Sequence, residues 1–125
     1  MTDHPLVLDR EDLAQTPHAE EFIGADHDDV PFSLILVHAP PGEGPAVHRH
    51  PYAEVFVVEE GEATFQLGAD EVVVRASQVV VGPPNVMHGF TNRGPGTLRL
   101  TAIHGAPRFD TTWAADVDET WASER

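Results

Sequence analysis

The chain has 125 residues, enough for one domain that buries roughly two thirds of its unfolded surface. Seven arginines and no lysine stand against 21 acidic residues, and the net charge of −14 argues against nucleic acid as a partner because it repels phosphate backbones. The absence of cysteine excludes disulfides and thiolate sites, and the absence of lysine excludes Schiff-base chemistry.

In chain order, residues 1–31 read as an acidic N-terminal arm. Its first twelve residues, MTDHPLVLDRED, carry neither a basic stretch nor an apolar stretch of the kind a secretory signal needs. No apolar run approaches the ~20 residues of a membrane span, so a cytoplasmic protein with no membrane partner is expected. Leu6-Val7-Leu8 reads as a short edge strand, and Asp9 as the cap of a helical turn reaching Leu13. The segment 18–30 reads as loop, with His4, His18 and His27 solvated.

From Phe32 the texture changes. Short β-rich runs cover 32–38, 46–50, 54–59, 63–67, 71–75, 78–81, 88–91 and 97–104. Turn residues punctuate them, notably Pro40-Pro41-Gly42, Gly61, Gly82-Pro83-Pro84 and Gly94-Pro95-Gly96. Eight short strands without an intervening long helix predict an all-β domain, a two-sheet jelly-roll barrel over 32–104. Residues 105–125 form a C-terminal arm and tail. The part from Ala114 onward is expected to fray, or to pack only through Trp113 or Trp121.

One constellation carries chemistry. His48 and His50 are followed by Glu54, and His88 comes after the proline-rich turn. Alternation in a strand points His48 and His50 the same way. Glu54 shares a strand face with Phe56 and Val58, so its carboxylate needs a partner there. A metal ion would be such a partner. Three imidazoles and one carboxylate suit a divalent Fe, Mn, Ni, Co, Cu or Zn ion and leave about two positions open. The resulting positive site favours an anionic small molecule, such as an enolate or a carboxylate. A His with a second His two positions on and a Glu six on arises by chance about 0.05 times in a chain of this composition.

The spacing G-x5-H-x-H-x3-E-x6-G over Gly42, His48, His50, Glu54 and Gly61 resembles the first motif of the cupin superfamily. Pro83, His88 and Asn92 match its second motif, in which Ser77 and Asn85 replace two glycines. Asn tolerates positive φ and can serve such a turn. The resemblance covers about 32–104 and implies a double-stranded β-helix with His48, His50, Glu54 and His88 as metal ligands. It also implies small-molecule metalloenzyme chemistry, most concretely dioxygenase-like and otherwise of the isomerase or decarboxylase kind. Glu54 would be a permanent ligand or, if it leaves the metal, a general base. The arm Pro107-Arg108-Phe109-Asp110 could pair two copies into a homodimer, as terminal strands of small cupins do.

Further pocket candidates are His38, Phe56, Phe65, Phe90 and His104. His38 ends a strand with Leu34 and Leu36 on its face, and His104 one with Leu98 and Leu100, so either could orient a metal ligand or a substrate. The bland reading of both is a satisfied core or rim histidine, and of the three Phe simple core packing. Arg99 has the opposite parity and is expected to face solvent. Two rivals to the enzyme remain: a non-catalytic module that binds or senses a metal or small ligand, and a metal-free structural homologue.

Overall fold

A computed structural model describes residues 5–117. A 3-10 turn at Arg10–Asp12 opens them, with Asp12 Oδ2 accepting the Asp9 N–H at 3.3 Å. Eleven strands follow among the described residues: β1 Ala14–Thr16, β2 Ala19–Phe22, β3 Ser33–Ala39, β4 His48–Arg49, β5 Glu54–Glu60, β6 Glu62–Leu67, β7 Asp70–Arg75, β8 Val79–Gly82, β9 His88–Thr91, β10 Leu98–His104 and β11 Thr112–Trp113. They form two antiparallel sheets, ordered β1-β2-β3-β10-β5-β8 and β11-β4-β9-β6-β7. This is the expected all-β two-sheet barrel.

Period-two alternation seats the strands. In β5, Glu54, Phe56 and Val58 are buried and Val55 and Val57 half-buried; in β10, Leu98, Leu100, Ala102 and His104 are buried. The inner faces meet in one core. Phe56 and Val58 from the first sheet pack with Phe65 and Phe90 from the second, and Phe56 meets Phe65 edge-on at 4.8 Å. Full burial of a side chain such as Phe65 contributes about 2–3 kcal/mol.

The turns explain the departures from the motif glycines. Ser77 sits at φ 74° and Asn85 at φ 64°, both in the left-handed region. Each therefore adopts the backbone the glycine would have given. Gly61 is less replaceable: at φ 78°, an added Cβ would lie 2.7 Å from the Thr97 carbonyl oxygen.

Several expectations about the ends need correction. Leu6-Val7-Leu8 forms no strand; β1 occupies that sheet edge, and Val7 is 86% exposed. The segment 18–30 is not loop throughout, because β2 pairs with β3 and a 3-10 turn spans Gly24–Asp26. His18 and His27 are half-buried, His27 stacking on Phe22 at 4.9 Å. The strand predicted over 46–50 shrinks to β4. At the other end, β11 pairs with β4 of the same chain, and Ala114 is buried, so the start of the tail is packed. His4 and Trp121 lie outside the described residues.

The outer face of the larger sheet carries an apolar row beside polar pairs such as Glu20 with His38 and Glu59 with Thr101. Register aligns Phe22, Leu34, Ile103, Val55 and Val81 in one row across five strands. Val79 and Val81 on the edge strand are 58% and 53% exposed.

Candidate metal centre

Three strands bring the four predicted donors together. His48 on β4 lies directly opposite His88 on β9, and His50 follows at the end of β4. Glu54 opens β5, in register with His104 on β10 and Gly82 on β8. All four residues of the expected set are buried, and one ligand atom from each lies within 4.8 Å of the others.

The hydrogen bonds around the imidazoles determine which nitrogens face inward. His48 Nδ1 lies 2.6 Å from the Ala46 carbonyl oxygen, His50 Nδ1 2.9 Å from that of Asp110, and His88 Nδ1 3.0 Å from that of Val86. A carbonyl only accepts, so each Nδ1 must carry its proton and donate. In a neutral ring the opposite nitrogen, Nε2, is then an unprotonated donor of a lone pair. Two of these Nε2 atoms close on Glu54, and a ligand atom of His48 lies within 4.8 Å of the same set. Oε1 is 2.9 Å from His88 Nε2 and 3.1 Å from His50 Nε2. His50 Nε2 is nevertheless buried without a directed hydrogen bond. Lone-pair donors and a carboxylate packed this closely require a cation or a proton among them.

The electrostatics agree with that geometry. Burial would raise the Glu54 carboxyl, but His104, His50 and His88 outweigh it and hold the group well below the usual carboxylate range. Burial pushes His48 down to about 4, aided by repulsion from His88 and His50. Burial also opposes the charge on His50, yet Glu54 and the Asp110 carbonyl raise it overall. Glu54 is thus the anion around which the imidazoles are arranged.

His104 belongs to the same cluster in a different role. Its Nε2 is 2.9 Å from Glu54 Oε2, off the hydrogen-bonding direction, and its Nδ1 is 2.8 Å from the Tyr52 hydroxyl. That hydroxyl accepts the Asp110 N–H at 3.4 Å, so it can donate its own proton to His104 Nδ1. His104 then carries hydrogen on Nε2, the reverse of the three inward-facing rings. This arrangement braces the second carboxylate oxygen and leaves Oε1 with the other imidazoles. Burial pushes the Tyr52 hydroxyl up to about 12, which keeps it a donor.

The other pocket candidates separate. His104, Phe56 and Phe90 line a cavity of about 780 Å³ that also reaches His48, His50 and Glu54. His38 does not line it: its strand face points outward, and its ring pairs with the Glu20 carboxylate, which also binds Arg10. Phe65 is fully buried in the core and does not reach the cavity. Arg99 is exposed beside Glu60, as its parity predicts.

Sequence reasoning missed several contributors. Tyr52 stacks on His50 at 5.0 Å, Trp113 lies 5.0 Å from His48, and Phe109 meets His104 edge-on at 4.7 Å. The last two arrive because the C-terminal arm folds back across the barrel, a path without a local sequence signal. The two aromatics Phe109 and Trp113, shortly after the barrel, were the available hint.

Comparison with known proteins places the fold. Residues 35–104 match the family model described as a cupin domain, and the chain belongs to that family. A polyketide synthase named CurC from Streptomyces cyaneus is 37% identical over 68 residues, 54% of this chain and 44% of that protein. The match therefore spans less than half of that relative's length. A Klebsiella pneumoniae protein with a double-stranded β-helix domain superposes with TM-score 0.62 at 24% identity, covering 66% of this chain and 74% of its own. An oxalate oxidase gives 0.68 at 22%, over 78% and 56%. Oxalate decarboxylase from Bacillus subtilis gives 0.71 at 18%, over 88% and 32%. At these identities the three structures show a shared double-stranded β-helix.

Proposed function

We propose that the protein is a metal-dependent cupin enzyme acting on a small oxygen-bearing molecule, with dioxygenase-like chemistry as the leading form. The observation that carries this reading is the convergence of one ligand atom from each of three imidazoles and one from a carboxylate in a buried cluster, with the Nδ1 of every one of those imidazoles pinned to a carbonyl. Orientation through the opposite ring nitrogen is the usual support of a histidine ligand. His48, His50, Glu54 and His88 would hold the ion. When bound, a divalent first-row ion supplies Lewis-acid or redox chemistry with positions free for a ligand.

The chain's own groups do the rest. His104 and Tyr52 brace Glu54 and present hydrogen-bonding atoms beside it. Phe56, Phe90 and Trp113 wall the cavity and limit water. The positive charge of a loaded site favours an incoming oxygen anion. A second reading, a non-catalytic binding module, is less supported because His104 and Tyr52 put proton-carrying groups beside the cluster. A homodimer is supported by the apolar row on the outer face of the larger sheet.

The test is to purify the protein without chelator, load it with Fe(II) or Mn(II), and follow oxygen uptake and conversion across enediols, diketones, flavonols and sugar derivatives. Turnover that vanishes with Glu54→Ala supports the enzyme. Full metal loading with no turnover on any of them supports the binding module.

A further inference from the structure

We propose that the cavity selects an apolar-bodied ligand of aromatic size that directs one oxygen-bearing edge at the four-residue cluster and carries no second charge, and that it rejects dicarboxylates long enough to set their far end against the wall. This specificity rests on the reading of the cluster as a metal centre. The cavity is about 780 Å³, the size that takes a drug-like molecule rather than a two-carbon acid. Its walls are Ile35, Val37, Phe56, Phe90, Phe109 and Trp113. Four of these are aromatic and offer faces and edges to a planar ring system.

The charge pattern carries the argument further. Glu21, Glu43 and Glu54 line the cavity, among the described residues no arginine does, and the chain has no lysine. Glu21 lies on β2 in register with Ile35, so its carboxylate joins the inner wall instead of the outer face. The lining imidazole outside the cluster, His18, already lies 3.9 Å from the Glu43 carboxylate. A longer dicarboxylate such as glutarate, with one end at the cluster, would therefore leave the other among apolar side chains or near Glu21. An unpaired buried carboxylate costs several kcal/mol, and a like charge adds to that cost. A hydroxyl or keto group on an apolar skeleton incurs neither cost. Burial raises the Glu21 carboxyl, in keeping with a wall unsuited to anions.

The experiment measures the affinities of 3-hydroxyflavone and glutarate for the full-length protein by titration calorimetry, with metal content determined on the same samples. On metal-loaded protein the flavone should bind at least about tenfold more tightly than glutarate. Val37→Arg, which adds a cation to the wall, should shift that ratio toward glutarate by about tenfold or more with metal content unchanged. Phe109→Leu, a milder change, should weaken the flavone alone. Glutarate binding as tightly as the flavone, or a ratio unmoved by both variants, overturns the inference. If the wild-type protein holds no metal, the metal-centre reading fails separately. The selectivity is then judged by the same ratio on the metal-free protein, where glutarate at parity overturns it.

Discussion

Acid should destabilise the metal-free protein in a window set by His48. Burial depresses this imidazole from 6.5 to about 4, so the unfolded chain binds its proton more readily than the folded one. For such a group the unfolded state gains protons first, and stability falls as pH drops below 6.5. Integrated from pH 6.5 to 4.5, the difference between the two titration curves amounts to about 2 kcal/mol. His50 does not oppose this loss. Its raised pKa gives stability fully present below 6.5 and lost only as pH rises through the folded value. Glu54, held low, adds its own loss only below about 4.5. The assay is urea unfolding with chelator present, at half-unit steps from pH 7.5 to 4.5, on wild type and His48→Asn. Wild type should lose about 2 kcal/mol more than the variant across that range. Equal slopes would show that His48 is not buried as a neutral ring, and the tautomer argument for the site would fail with it.

Other consequences are structural. Asn92 is 1% exposed; its amide donates to the Ala39 and Gly96 carbonyls at 2.9 and 2.8 Å, and its Oδ1 accepts the Gly94 N–H at 3.0 Å. Asn92→Ala removes three bonds and should cost about 3 kcal/mol in denaturant unfolding, and a cost below about 1 kcal/mol would contradict that role. Ser77→Gly should stabilise by up to about 1 kcal/mol, because the left-handed backbone no longer strains a side chain; a lower melting temperature would count against it. Val55→Glu with Val81→Glu should convert a sedimenting dimer to monomer, whereas a monomeric wild type would remove the apolar row as a dimer face.

The cluster was legible because its spacing is local. His48, His50 and Glu54 span seven positions, and strand alternation aims the two imidazoles alike. The barrel strands were legible for the same reason, with β9 found at its full extent and β10 one residue shorter than its run. What escaped is tertiary. Strand β2 reads as Ala-Glu-Glu-Phe, a polar stretch, yet Glu20 is buried because Arg10 and His38 satisfy it, and Glu21 turns into the cavity. Parity put His38 with Leu34 and Leu36 correctly, but that half-buried face is the outside of the sheet. The same parity put His104 inside with Leu98 and Leu100, where it braces Glu54. Two strands with the same pattern thus had opposite outcomes, decided by which face the other sheet covers.

Metal analysis of freshly purified wild-type protein and of His50→Ala, before and after reconstitution, tests the central claim most directly. One divalent ion per wild-type chain, lost in a folded His50→Ala variant, is the expected result. A wild-type chain that stays empty after reconstitution, or a variant that holds the ion equally well, would contradict the account.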